Sequence, residues 1–197
     1  MKIHTAMFED EQGFDPKKRY DRVRQMPIFL KAQTITELVR HHTKSVEKTD
    51  FKFKRDGEKE MLEDTLSFMR QNAYIIPAKI SGAEAAEIYD LKMENAAIIR
   101  KAARELITDA RGIQMHGFKD IEYLDLLRKE VEEFRILFAE WVKTFDPWNY
   151  IIDRWGLFNP PGVNYDDHDD DMPFDPSAFF GDEFFDDGSE EEEDDQK

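Results

Sequence analysis

One stretch of the chain limits its possible folds more than any other. From Leu124 to Phe145, apolar side chains recur at Leu124, Leu127, Val131, Phe134, Phe138, Trp141 and Phe145, in unbroken steps of three and four. A helix turning every 3.6 residues brings all of them onto one stripe, whereas the two-residue period of a strand would scatter them over both faces. A stripe this apolar must be covered, so the remaining segments have to supply surfaces of the same kind. The spacing predicts a helix starting near Asp120 and running to about 145.

Three upstream segments carry matching patterns. Pro27 suits a first helical turn, where its missing N–H costs nothing. Ile28, Ala32, Ile35, Leu38, Val39 and Val46 then follow at helical spacing, with His41, His42, Lys44 and Lys48 near the negative pole. This predicts a helix over about 27–48. After the polar stretch 49–57, Asp56 is the expected cap and Glu58 and Glu60 favour the positive end of the next helix. Its stripe is Leu62, Leu66, Met69, Ala73, Ile76 and Ile80. Pro77 is expected to kink or end it, and Ser81-Gly82-Ala83-Glu84, with capping-box spacing, to turn into a third helix. That helix carries Ile88, Leu91, Ile98, Ala102, Leu106 and Ala110. Small residues at Ala96, Ala97, Ala102 and Ala103 allow close approach of a neighbour, and Gly112 and Gly117 bracket its exit. Four amphipathic helices joined by short links predict an all-α, antiparallel up-and-down four-helix bundle over residues 27–145.

Residues 1–26 show no sustained period and read as an N-terminal arm. It holds a basic cluster, Lys17, Lys18, Arg19, Arg22 and Arg24, a candidate anion-binding site. Residues 146–165 form an aromatic-rich extension. Asp146-Pro147 predicts a short fifth helix over 147–155 with Gly156 as its stop. Trp148, Tyr150, Trp155 and Phe158 exceed what a four-helix core needs, so they are candidate partner-binding residues. Residues 166–197 hold 16 of the 44 acidic residues and a single base, Lys197, while residues 1–165 are nearly neutral. Such a segment is expected to be a disordered acidic tail. Phe174, Phe179, Phe180, Phe184 and Phe185 interleave with its acids, which suits docking on a basic, apolar groove.

Catalytic and metal-binding patterns are sparse. There is no Cys, which removes thiolate chemistry and fits a reducing compartment. No Glu-x-x-His pair of the di-iron type occurs, and Glu37 and His41 stand alone at one-turn spacing. The run Asp166–Asp171 lacks the glycine and closing Glu of a calcium loop. No cofactor or metal is therefore expected. Arg111 and His116 have the Arg-x4-His spacing of ribonucleases of the HEPN helical-bundle superfamily, where an Arg and a His flank a scissile phosphate. Residues 1–25 lack the apolar core of a signal peptide and no apolar run approaches the ~18–20 residues of a membrane span, so the expectation is a cytoplasmic protein without a membrane role.

The run Arg70-Gln71-Asn72-Ala73-Tyr74-Ile75-Ile76-Pro77-Ala78-Lys79-Ile80, followed by Gly82 and Glu84, resembles the Arg-x-x-Ala-x-x-Ile-Pro-x-x-Ile stretch of the four-helix-bundle proteins encoded in ribosomal-RNA intervening sequences and of the related retroelement accessory protein. Ala102–Leu106, Tyr123 and Leu127–Glu133 resemble later parts of the same pattern. The resemblance implies a bacterial bundle that forms ring-like homo-oligomers and binds nucleic acid. This chain differs in its near-neutral body, its aromatic extension and its acidic tail, and the polyanionic tail opposes phosphate binding. The expectation is a non-enzymatic interaction or scaffold bundle that self-associates or binds a protein. The alternatives are a nucleic-acid-binding bundle with the tail competing in cis, and a HEPN-like ribonuclease.

Overall fold

A computed structural model of the chain describes residues 16–115, 118 and 121–168. It is built from five helices: α1 (Pro16–Gln25), α2 (Pro27–Glu47), α3 (Glu58–Ala85), α4 (Tyr89–Met115) and α5 (Ile121–Val142), with no strand among the described residues. Helices α2 to α5 close a ring in which each packs on its two neighbours and the diagonal pairs share no close backbone contact. Cross-helix contacts run in opposite directions along paired helices. Lys31 meets Glu130 and Glu133, while Tyr123 near the start of α5 donates to Leu38 O further along α2. The antiparallel four-helix bundle follows from these pairings.

The expected stripes of α2 and α3 are buried: Ile28, Ala32, Ile35, Val39 and Val46 on one, Leu62, Leu66, Met69, Ala73, Ile76 and Ile80 on the other. His42 lies with them rather than at the surface. Its ring stacks on Tyr123 at 4.8 Å and meets the edge of Phe118 at 5.2 Å. In α4 the buried seam is Ala96, Ile99, Ala103, Leu106, Ala110 and Ile113, with Ala102 beside it. The later half of the expected stripe, Ala102, Leu106 and Ala110, is buried, but its earlier half is replaced: Leu91 and Ala97 are exposed and Ile98 is only partly covered. The small residues act as expected: α3 and α4 make the most extensive pairing of the bundle. A β-carbon at Gly82 would sit 3.3 Å from Asn95 Oδ1, so the helices approach closely there.

Helix α3 does not end at Pro77 but continues to Ala85, and Ser81–Glu84 is helical rather than a turn. The chain turns instead at 86–88, where the Ala86 N–H closes on Gly82 O at 2.9 Å. The reason lies across the helix pair. Proline removes the donor that would reach the carbonyl four residues back, here Ala73 O. The Thr36 hydroxyl of α2 lies 2.9 Å from Ala73 O and equally close to Ala32 O, so its one proton is shared between them. The orphaned carbonyl, buried with Ala73, thus has a replacement donor. Two smaller corrections concern helix ends. The cap of α3 is Gly57 (φ +85°) rather than Asp56, and Gly112 lies inside α4, which runs on to Met115.

Residues 16–25 are a helix, not an arm without regular structure. Val23 is buried in the core, and α1 packs on both α2 and α3. A single anchoring side chain leaves almost no periodic signal in a ten-residue segment, which is why the pattern is hard to see. Residues 147–155 are turns and irregular backbone, not the expected fifth helix. Their polar groups are claimed elsewhere: Asn149 O accepts from Tyr89 N at 2.7 Å, and the Ile151 N–H donates to Asp90 Oδ1 at 3.3 Å. These bonds fasten the extension to the start of α4 in place of an internal helical ladder. Most of the acidic tail, including Phe174, Phe179, Phe180, Phe184 and Phe185, lies outside the described residues.

Candidate interaction site

The extension is organised around Asp153. Its carboxylate accepts the N–H groups of Trp155 (2.9 Å), Leu157 (2.8 Å) and Phe158 (2.9 Å). The donor from Trp155, above all, holds the carboxyl below the usual aspartate range, with burial opposing. Asn159 locks the other side, donating to Asp153 O and accepting from Asp153 N. Arg154 Nη1 reaches Tyr165 O and Asp167 O at 2.9 and 2.7 Å, drawing the chain back on itself. Gly156, at φ +70°, makes the tight reversal a side chain would resist.

This scaffold holds large side chains out of the core. Trp155 is 90% exposed, Trp148 83% and Leu157 74%, while Tyr150 and Phe158 are partly covered. Of the four aromatics expected to contact a partner, the two tryptophans stand in solvent. Phe158, Trp155 and Leu157 line a small cleft with Asp90, Glu94 and Asp153. Ile152 is buried, outside the core cluster of the bundle.

The basic cluster falls on α1, and two of its members face acids of the bundle. Arg19 donates to Ala85 O, an end carbonyl of α3, at 3.2 Å and pairs with Glu87 at 3.6 Å. Arg22 pairs with Glu84 at 3.8 Å, and Arg24 lies over the Tyr20 ring at 5.3 Å. Arg19 and Arg22 fasten α1 to the end of α3 and the turn after it, while Arg24 stays on α1. Lys17 and Lys18 are exposed.

A third feature is one that reasoning from the stripes misses. The seam of α5 is only partly covered by α4: Leu124, Leu127, Phe134, Trp141 and Phe145 are buried, but Val131 and Phe138 are only half-buried. Between the two helices runs an open groove of about 880 Å³. Its floor includes Ala103, Ile107, Val131, Phe134, Phe138 and Val142. Its rim is basic: Arg100, Lys101, Arg104 and Arg111 from α4 and Arg135 from α5, against Glu105 and Glu132. The two acids are matched to Lys101 (3.6 Å) and Arg135 (2.6 Å). Arg100, Arg104 and Arg111 have no ion-pair partner among the described residues. A signal was present in the sequence, since 100, 104, 107 and 111 share one helical face and three of the four are arginine.

Arg111 is exposed in the last turns of α4; His116, the other residue of the Arg-x4-His spacing, lies outside the described residues. Glu37 bonds Arg40 at 2.6 Å, with His41 at 4.0 Å. No group of metal-ligating residues occurs among the described residues, and no helix there is long and apolar enough to cross a membrane. Comparison with protein-family models, with curated proteins and with solved structures found no match.

Proposed function

We propose that this chain works by binding rather than by catalysis, as a scaffold bundle that self-associates through its aromatic extension. The observation that carries the reading is the pair Trp148 and Trp155, both held in solvent on backbone fixed by Asp153, Asn159 and the start of α4. Apolar rings on a preorganised segment lose little conformational freedom when covered, and tryptophan is the residue most enriched at interface centres. A second copy offers the same patch, so a two-fold pairing of extensions satisfies both at once. The experiment is light scattering at micromolar concentration on the full chain and on Trp148→Ser/Trp155→Ser. A mass above the monomer that falls to the monomer in the double variant supports the reading. A strictly monomeric full chain sinks it.

Nucleic-acid binding is the second reading, and its support is the line of Arg100, Arg104 and Arg111, which lack ion-pair partners among the described residues, on the rim of the groove, with Lys17 and Lys18 exposed on α1. It predicts that removing residues 166–197 creates salt-sensitive RNA or DNA binding. A truncated chain that binds neither at low salt removes it.

A further inference from the structure

We propose that the acidic, phenylalanine-bearing segment of residues 169–197 docks in the groove between α4 and α5 of its own chain. The proposal is independent of self-association through the extension.

Three observations converge on this occupant. The first is charge. The groove carries, along one edge, three arginines without ion-pair partners among the described residues, and residues 169–197 hold 14 acids against one base. Asp182, Glu183, Asp186 and Asp187 bracket the paired phenylalanines, so anchors and countercharges arrive together. The second is shape. The floor is apolar, with Phe138 and Val131 half-buried and Phe134 beneath them. Phe180 and Phe184 are four residues apart, which puts them on one face whether the segment is helical or extended. Arg100 to Arg111 spans eleven residues of α4, about 16 Å, room for two rings one helical turn apart.

The third is reach. Residues 165–167 are held by Arg154, and the neighbouring Trp155, Leu157 and Phe158 lie against Asp90 and Glu94. The chain therefore leaves the described structure near the first turns of α4. Arg100 lies ten residues further along that helix than Asp90, about 15 Å. Eleven residues separate His168 from Phe179, enough for about 36 Å of extended chain. The docking segment is thus tethered within easy reach, at an effective concentration on the millimolar scale. The rim is solvent-exposed, so the attraction is screened at high salt.

The absence of cysteine supplies the test, because an introduced thiol is the only one in the chain. Ala139 is exposed and lines the groove, while Ala78 is exposed on α3, outside it. The rate of thiol alkylation is measured on full-length Ala139→Cys and Ala78→Cys. Each is paired with a version carrying Phe179→Ser, Phe180→Ser, Phe184→Ser and Phe185→Ser, which leaves the charge unchanged. The expected result is alkylation at position 139 about tenfold slower with the native tail than with the serine tail. That difference should vanish in 1 M salt and in Arg100→Glu/Arg104→Glu/Arg111→Glu, and position 78 should be unaffected. Equal rates at 139 with both tails overturn the proposal. Protection that ignores the tail sequence and grows with protein concentration also overturns it, by assigning the groove to a second copy.

Discussion

Replacing Thr36 with valine tests how α3 passes through Pro77 without breaking. The substitution keeps the shape of the side chain and removes only its hydroxyl. With Pro77 in place, Ala73 O then loses its replacement donor at a site where Ala73 is 1% exposed and water has little access. A buried acceptor left unsatisfied costs about 1–3 kcal/mol, and carbonyls lie toward the lower end because a second lone pair can find weak contacts. The valine methyl recovers a few tenths, so the net loss is about 1–2 kcal/mol. For a chain of this size that is a fall in Tm of roughly 2–8 °C. The decisive comparison is the same substitution in a Pro77→Ala background. Alanine restores the N–H that reaches Ala73 O, so Thr36→Val should then cost under about 0.5 kcal/mol. Urea unfolding followed by far-UV circular dichroism on the four proteins gives the coupling, expected at about 1 kcal/mol. An equal cost of Thr36→Val in both backgrounds would refute the reasoning and leave the continuity of α3 without its donor.

Gly112→Ala should stabilise the chain by about 0.5–1 kcal/mol, because Gly112 is helical and a β-carbon there meets nothing within 4 Å among the described residues; a loss in thermal melting would mean that the helix ends at this glycine. Burial, with the charge of Glu105 behind it, raises the Asp109 carboxyl above its usual range, while the Asn72 side chain opposes. The folded state therefore holds that proton more tightly than the unfolded chain, and stability falls as pH rises from the ordinary aspartate range through the raised folded value. Asp109→Asn should flatten that slope and stabilise the protein at neutral pH by about 0.5–1 kcal/mol, allowing for the water that still screens the carboxylate; an unchanged pH profile of Tm counts against it. Trp141 Nε1 donates to Glu84 Oε1 at 2.8 Å across the end of the bundle, so Trp141→Phe should cost about 2 kcal/mol in urea unfolding and distinctly less when Glu84 is already Met. Equal costs in both backgrounds would show that the bond contributes nothing.

The parts of this molecule legible in its sequence are those where periodicity has a single solution. Ile28 to Val46 and Leu62 to Ile80 are buried as spaced, and the alanines of α4 bring α3 close, because apolar burial leaves no other face to turn inward. The misreadings arise where a distant group overrides a local rule. Pro77 reads as a stop until Thr36 is seen to replace its missing donor. Asp146-Pro147 reads as a helix start until α4 is seen to take the polar groups of Asn149 and Ile151. In α4 the adjacent isoleucines Ile98 and Ile99 leave the register open by one position, and only the facing helices decide for Ile99. The arginine edge of the groove is legible in the spacing of α4, but its openness is not, for a different reason. A stripe shows which residues prefer burial, and Phe138 has that preference, but the degree to which α4 covers α5 depends on helix separation. Of the candidate aromatics, Trp148 and Trp155 face solvent, while two arginines of the basic cluster turn to Glu84 and Glu87.

The central physical claim is that the apolar seam of α5 is closed at Phe134 and open at Phe138. The two rings are neighbours, 6.2 Å apart, on one stripe of one helix. Their truncations, measured by urea unfolding in about 1 M salt to suppress any tail contact, test it most directly. Phe134→Ala should cost about 3–5 kcal/mol, as a fully buried phenylalanine does. Phe138→Ala, which already borders water and leaves no sealed cavity, should cost at most about half as much. Equal losses at the two positions would contradict the account, because they would mean that α4 covers both.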